Sequence, residues 1–390
     1  MNDCLFFGDN KYPKLIKNEP EEITKPIQFK FENENENENE KQIKQISSGL
    51  FSTSFLFKNG KAIEYSNQNP SKIQIEENIQ KKEMYLSNGE NINPKHPNKF
   101  INISSLIEDT NDRIIQDIVS GYNSIYLLTS NQNVYGIGSN DYGQLGFDSE
   151  TLPKTKKPIL MMKNISKIFS ETDSNFVFLL NSNQELFGCG YNEYGKLGLG
   201  ESRKESKIQK LTKIQNIPKG KIIDIQSGYS YSIMLIEDEN ENENPKRKLY
   251  SCGYYQFNGL DKDENTYEFT EIKSSLFEND DNILDFSCGI GHTLILTSNS
   301  KLIGFGLSNY GQLGIEDTEI QLIPIQIEIP KLRFNEDISN YHLSCGAHKS
   351  FLYYSPFFSS FSNLEEDLIK LFRRKEFCDI SFKTRKWRNN

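Results

Sequence analysis

The stretch that decides the fold runs Ser120-Gly121-Tyr122-Asn123-Ser124-Ile125-Tyr126-Leu127-Leu128-Thr129, then Val134-Tyr135-Gly136-Ile137-Gly138, then Asn140-Asp141-Tyr142-Gly143-Gln144-Leu145-Gly146. Two short apolar runs rich in strand formers flank the polar linker Ser130-Asn131-Gln132-Asn133, the pattern of a β-hairpin and its tip. The block returns as Phe176-Val177-Phe178-Leu179-Leu180, Leu186-Phe187-Gly188-Cys189-Gly190 and Asn192-Glu193-Tyr194-Gly195-Lys196-Leu197-Gly198. A third copy holds Ser227-Gly228, Leu249-Tyr250-Ser251-Cys252-Gly253 and a decayed Asn258-Gly259-Leu260. The fourth holds Ser287-Cys288-Gly289, Leu302-Ile303-Gly304-Phe305-Gly306 and Asn309-Tyr310-Gly311-Gln312-Leu313-Gly314. A fixed internal period of this size marks a repeat architecture.

The marker glycines Gly138, Gly190, Gly253 and Gly306 stand 52, 63 and 53 residues apart. The long interval contains the acidic Asn/Glu tract 237–244, placed where the other copies have a hairpin tip. Loop lengthening costs entropy only slowly, so a tip tolerates such an insertion. Weaker copies flank the four. Ser48-Gly49 with Phe55-Leu56-Phe57 opens one, and Ser344-Cys345-Gly346 with Phe351-Leu352-Tyr353-Tyr354 opens another. The second half of that last copy is expected at the other terminus, in Cys4-Leu5-Phe6-Phe7-Gly8-Asp9-Asn10. Strands from both ends pairing in one blade would close a ring and hide its sheet edges. The expected fold is therefore all-β, a β-propeller of six or seven four-stranded blades over residues 1–355, with any seventh blade hidden between Gly60 and Asp117.

Paired glycines inside a strand point to a bulge or a close backbone approach, expected here toward the next blade. In Gly-Gln-Leu-Gly the glycines supply positive φ while the Leu packs beneath the turn. The tyrosine ahead of it, Tyr142, Tyr194 and Tyr310, reads as a packing residue between blades in preference to a binding aromatic.

These residues resemble the regulator of chromosome condensation repeat propellers. Phe286-Ser287-Cys288-Gly289-Ile290-Gly291-His292-Thr293-Leu294-Ile295-Leu296 is similar to the family's strand signature, and the Gly-x-Asn-x-x-Gly-Gln-Leu-Gly turn stands nearly whole at residues 138–146 and 190–198. The resemblance covers roughly residues 3–354, and its structural signature residues here are Gly121, Gly138, Gly143, Gly146, Gly190, Gly195, Gly198, Gly228, Gly253, Gly289, His292, Gly306, Gly311 and Gly314. The signature His stands in register at His292, with Ser124, Ser174 and Tyr231 in its place elsewhere and His348 one residue early. Ile137, Cys189, Cys252 and Phe305 replace the family's Trp. His292 reads as a hydrogen-bonded structural residue rather than a catalytic one.

The tract 31–40 is a second Asn/Glu insert, expected to be solvated. In the tail, 356–390, Ser362-Asn363-Leu364-Glu365 reads as a capping box before an amphipathic helix to about Arg374, and Phe377-Cys378-Asp379-Ile380-Ser381-Phe382 as a strand. This resembles the opening of a BTB/POZ domain, with a terminal helix packed on the propeller as the alternative.

A net charge of −9 repels phosphate backbones and argues against nucleic acid as a partner. No run of eighteen apolar residues is present, and the N-terminus has no signal-peptide pattern. The six cysteines lack metal-ligand spacing, and no phosphate-binding loop or nucleophile elbow occurs. No catalytic, cofactor-binding or metal residue is therefore assigned, and the chain is expected to be a monomeric, non-catalytic cytoplasmic protein, the nucleus remaining open. The first expectation is an interaction scaffold with protein partners. The resemblance implies a second, guanine-nucleotide exchange on a small GTPase, and a distant third, chromatin binding.

Overall fold

The fold was obtained as a computed structural model. It describes residues 103–171, 174–238, 245–277, 281–309, 311–315, 317, 319–328, 338, 341–345 and 350–354, and the strand backbones within the first 102 residues.

The earlier strands are β1 (Cys4–Asp9), β2 (Glu22–Phe29), β3 (Ile43–Ser48), β4 (Ser52–Phe57), β5 (Ala62–Ser66), β6 (Met84–Tyr85), β7 (Asn91–Ile92) and β8 (Lys99–Asn102). The central ones are β9 (Ile115–Ser120), β10 (Ser124–Thr129), β11 (Val134–Ser139), β12 (Lys154–Met162), β13 (Ile165–Phe169), β14 (Phe176–Asn181), β15 (Leu186–Tyr191) and β16 (Lys207–Lys213). The later ones are β17 (Lys221–Ser227), β18 (Tyr231–Glu237), β19 (Arg247–Gly253), β20 (Thr266–Glu271), β21 (Ile283–Cys288), β22 (His292–Thr297), β23 (Leu302–Gly306), β24 (Gln321–Ile327), β25 (Tyr341–Cys345) and β26 (Ser350–Tyr354). They form antiparallel four-stranded sheets in the orders β3-β4-β5-β8, β9-β10-β11-β12, β13-β14-β15-β16, β17-β18-β19-β20 and β21-β22-β23-β24. The fold is thus all-β, and its helical segments among the described residues are single 3-10 turns such as Glu193–Gly195. No helix among the described residues is long and apolar enough to cross a membrane.

Several expectations change against the structure or lie outside the described residues. Closure by pairing of the N- and C-terminal strands is not detected among the described residues: β1 pairs with β2, and β25 with β26. Each pairs with its neighbour in sequence, where closing the loop costs least entropy. Between Gly60 and Asp117, where any seventh blade was expected, lie β8, the fourth strand of the sheet begun by β3, and the β6–β7 pair. Glu237 belongs to β18 opposite Arg247, so the acidic insert starts beyond it. Tracts 31–40 and 239–244 and the tail helix and strand expected at 362–382 lie outside the described residues.

The chain divides into two compact units, Met1–Tyr191 with Lys207–Thr212, and Asn192–Ser206 with Lys213–Asn390. Within each unit the sheets stack face on face. In the first, Ile125 and Leu127 of β10 join one apolar cluster with Ile107, Ile118 and Ile137. Their neighbours Tyr126 and Leu128 join another with Ile168, Val177, Leu179 and Cys189 of the following sheet. Alternate residues of a strand point to opposite faces, so a strand that feeds two clusters is covered on both sides. That is why these second strands read as continuous apolar runs. The second unit repeats the arrangement: Leu294 and Leu296 pack with Leu343 and Leu352, while Ile295 packs with Ile233, Leu235 and Phe286.

Side chains of the first strands tie the second unit's sheets together. Gln226 of β17 donates to the Phe286 carbonyl at 3.0 Å and accepts from the Cys288 amide at 3.2 Å. Asp285 accepts from the Leu343 amide at 2.8 Å, and Ser287 from the Cys345 amide at 2.9 Å. Asp117, Asp224 and Asp285 each sit at a bulge and accept from the following amide, at 2.8, 2.9 and 2.9 Å.

Candidate functional site

The marker glycines stand at, or one residue before, the ends of β11, β15, β19 and β23. Gly138 has φ +113°, and a Cβ there would fall on the Asn123 carbonyl oxygen. Gly190, Gly253 and Gly306 meet the same obstruction at Asn175, Ser230 and Gly291. The close approach is therefore to the corner before the second strand of the same sheet, not to the next sheet as expected. The contact with the next sheet belongs to Gly143, whose missing Cβ would strike Gln209 of β16, and to Gly195, which abuts the Tyr267 ring of β20. Gly146, Gly198 and Gly314 close the turns by donating to the carbonyls of Gly143, Gly195 and Gly311, at 2.8, 2.9 and 2.9 Å.

A buried Asn holds the long loop in the first two copies. Asn140 donates to the carbonyls of Phe147 (2.9 Å) and Leu152 (2.8 Å) and accepts from the Leu145 amide (2.8 Å). Asn192 does the same with Arg203, Glu205 and Leu197. In the fourth copy the Gly306-to-Gly311 spacing places Ser308 at this position, buried and with its hydroxyl unpartnered. The carbonyl inside each turn is also satisfied: Gln144 by the Tyr126 hydroxyl and the Cys189 thiol, Lys196 by Ser232 and Cys252, Gln312 by Ser350. The cysteines in the family's Trp position thus serve as weak donors to the turn.

The glycines of the first corner, Gly121, Gly228 and Gly289, donate to Ser124, Tyr231 and His292 carbonyls at 2.8, 3.0 and 2.8 Å. Opposite the marker glycines stand Ser124, Phe176, Tyr231 and His292, so Phe176 replaces Ser174 in the register given from sequence. The longer corner between β13 and β14 causes the two-residue offset. His292 is buried, with Nε2 2.8 Å from the Ser350 hydroxyl of the following sheet.

One turn departs from the rest. Where two copies have Gln144 and Gln312, the second has Lys196, only 2% exposed. Gln144 folds back on its own turn, accepting from the Tyr142 amide at 2.9 Å. Lys196 reaches instead to the Tyr229 carbonyl at 2.9 Å, beneath the Tyr229 ring at 5.6 Å. Burial drives its amine down from the usual 10.5 to about 7, against the attraction of Glu193.

Above this lysine lies an aromatic face of the second unit. Tyr254 packs against Tyr194 at 4.8 Å, Tyr255 at 5.0 Å and Phe257 at 5.1 Å, all tilted or edge-on. Tyr229 is 57% exposed and Tyr194 36%. The Tyr254 amide donates to Ser230, and the Tyr229 amide to Ile290, so three corners converge here. In the first unit the equivalent pair is Tyr142 and Tyr191, at 4.8 Å, with the Lys207 ammonium 5.2 Å above the Tyr142 ring. The turn tyrosine therefore packs between sheets and also presents its ring outward. Tyr310 lies outside the described residues.

The chemistry elsewhere is subdued. No group of three or more His, Cys, Asp or Glu able to hold a metal occurs among the described residues. Burial raises the thiols of Cys189 and Cys252, and that of Cys345 to about 11, which keeps them protonated. Burial also raises Asp285 above its usual value, against the Leu343 amide and nearby His342, which lies 3.9 Å away. Sequence reasoning found Tyr194 but not Tyr229, Tyr254, Tyr255 or Lys196. The one available signal was the aromatic directly after Gly228 and the pair directly after Gly253.

Comparison with known proteins agrees with this architecture. Models of the regulator of chromosome condensation (RCC1) repeat match residues 115–144, 183–235 and 283–312. The chain is 25% identical over 227 residues to the mouse serine/threonine-protein kinase Nek9, covering 54% of this chain and 22% of that protein. It is 24% identical over 233 residues to the Xenopus laevis protein RCC2 homolog, covering 59% and 37%. With the Arabidopsis thaliana ultraviolet-B receptor UVR8 it shares 24% over 232 residues, 60% of this chain and 49% of the receptor. The chain thus spans less than half the length of each of these relatives. Among solved structures, human WBSCR16 superposes with a TM-score of 0.66 at 18% identity, over 90% of this chain and 81% of that one. The structure of Kap60 bound to yeast RCC1 (Prp20) gives 0.66 at 16%, over 90% and 76%. The chain carries regulator of chromosome condensation repeats, and its fold is like that of RCC1-type propellers.

Proposed function

We propose that this protein is a non-catalytic interaction scaffold whose tyrosine face on the second unit receives a protein partner. The observation that carries this is the exposure of Tyr194, held in one packed aromatic cluster, and of Tyr229 at the adjoining corner, when the described sequence-equivalent rings Tyr142 and Tyr122 are more covered. Aromatic side chains that keep a face in water while their edges are locked by neighbours bind with little loss of rotamer freedom. The test is affinity purification with the full chain and with Tyr194→Ala/Tyr229→Ala, compared by mass spectrometry. Specific partners present with the first and depleted with the second support the reading. Identical recovery with both refutes it.

A second reading is guanine-nucleotide exchange on a small GTPase. It is supported by the likeness to Prp20, whose crystal structure was described together with its binding to Gsp1p and histones (TM-score 0.59, 17% identity). Recovery of a small GTPase only after EDTA has stripped its nucleotide, followed by faster GDP release on adding this protein, would favour exchange over scaffolding.

A further inference from the structure

Strands β8, β12, β16, β20 and β24 each end a four-stranded sheet. The outward backbone groups of such an edge recruit other strands unless charge, proline or a bulge blunts it. Charge does this at four of the edges. β12 carries Lys154, Lys156 and Lys157, β16 carries Lys207, Lys210 and Lys213, β20 carries Glu268 and Glu271, and β8 begins with Lys99. β24 reads Gln321-Leu322-Ile323-Pro324-Ile325-Gln326-Ile327 and holds no charged residue along its length. Its isoleucines are strong strand formers.

Ile327 is buried in one cluster with Leu294, Leu302 and Leu313, whereas Ile323 is 47% exposed and Gln326 is exposed as well. An aliphatic side chain in water on an uncharged edge is the combination that edge protection ordinarily removes. Pro324 interrupts the edge once. It falls in the register shift between the Gly304–Ile325 and Gly306–Gln321 pairs, where the ladder is already broken. Beyond it, Ile325, Gln326 and Ile327 pair in unbroken register with Gly304, Ile303 and Leu302. Among the described residues, no strand pairs with the other side of β24.

Charge also decides which strand fits there. Two copies of β12 or of β16 laid edge to edge would set lysine against lysine, and two copies of β20 glutamate against glutamate, each at a cost. Two copies of β24 oppose no charges within the strand, and a twofold axis makes the contact self-complementary and closes it at a pair. We infer that the outer edge of β24 pairs antiparallel with β24 of a second copy of this chain, joining two four-stranded sheets into one. The contact is independent of the tyrosine face and stands in place of the monomer expected from sequence. At its ends the exposed Asp317 and Glu319 of one copy approach the exposed Glu328 of the other, so salt that screens these carboxylates strengthens the pair.

The test is sedimentation equilibrium of the full chain from about 5 to about 300 µM, at about 0.15 M and about 0.5 M salt. An edge contact buries less than a standard interface, so a dissociation constant on the order of 100 µM is expected, tighter at the higher salt. Ile323→Glu/Gln326→Glu lines the paired edges with like charge and should weaken the dimer at least about tenfold. Lys210→Glu changes net charge by the same amount on another edge and should leave the dimer intact. Hydrogen exchange of the parent chain reads the edge directly, with slowing at β24 amides expected as concentration rises. That measurement decides the matter if the double variant unfolds at lower urea. A parent chain that stays monomeric, a dimer that survives the double substitution, equal loss in Lys210→Glu, or β24 exchange indifferent to concentration overturns the inference.

Discussion

Replacing Lys196 by the Gln found in two equivalent turns should make the protein more stable at neutral and acid pH and flatten its stability against pH. In the folded chain the amine is held near 7, against 10.5 in the usual environment. The difference corresponds to about 5 kcal/mol at about 1.4 kcal/mol per pH unit, an upper bound on the penalty for burying the charged form. The sign follows from protons bound. Between pH 7 and 10.5 the unfolded chain holds a proton that the folded chain has released, so stability rises with pH across that window. Below pH 7 both states are protonated and the penalty is fully present. Lys196→Gln removes it but forfeits the 2.9 Å bond to the Tyr229 carbonyl, worth about 1 kcal/mol. Allowing for a polar group still to be buried, the variant should gain about 1–3 kcal/mol at pH 6 and lose its advantage by pH 10. Urea unfolding from pH 6 to 10 measures this, with free energies taken at constant m. Parallel curves for the two proteins between pH 7 and 10 would refute the argument, because Lys196 would then be charged in both states or in neither.

Three further outcomes are expected. Ser308→Asn should raise urea stability by about 1 kcal/mol, because a buried hydroxyl without a partner gives way to the amide that clamps the equivalent loops at Asn140 and Asn192. Gly143→Ala should lower it by about 2 kcal/mol or more, since φ is +80° and the added carbon strikes Gln209 backbone; an unchanged denaturation midpoint would contradict that packing. Asp281→Asn should cost about 2–4 kcal/mol at pH 7. Burial alone would raise this carboxyl, but the Asn299 amide, Lys301 and Thr297 outweigh it and hold it below its usual 3.8. Its contribution is present above pH 3.8 and lost as pH falls through the folded value, so the difference between parent and Asp281→Asn should shrink in acid.

Much of the fold was legible because it is written in local periodicity. Apolar runs such as Ile125–Leu128 and Leu294–Leu296, the marker glycines and the polar tips recur, and pairs such as β10–β11 and β22–β23 form between near neighbours in sequence. Register was harder. Phe176 rather than Ser174 faces Gly190, because a six-residue corner, against three residues in the other copies, leaves no trace in apolar alternation. Strand β8 was missed because more than thirty residues separate it from β5, its partner in the sheet.

Local spacing was enough to read the repeat: four short antiparallel strands, their turns, and glycines where a side chain would collide. It could do so because a repeated unit exposes the same local constraint several times, so decay in one copy is read against the others. How neighbouring sheets meet follows from their packing alone. Gln226 and Asp285 tie neighbouring first strands. Lys196 buries its amine under Tyr229, and Tyr194, Tyr254 and Tyr255 gather from turns some sixty residues apart. These depend on distances between sheets, which no spacing along the chain encodes. The tyrosine face is therefore a property of stacking, and the same Gly-x-Leu-Gly turn yields a ring beneath Lys207 at Tyr142 and a more exposed one at Tyr194.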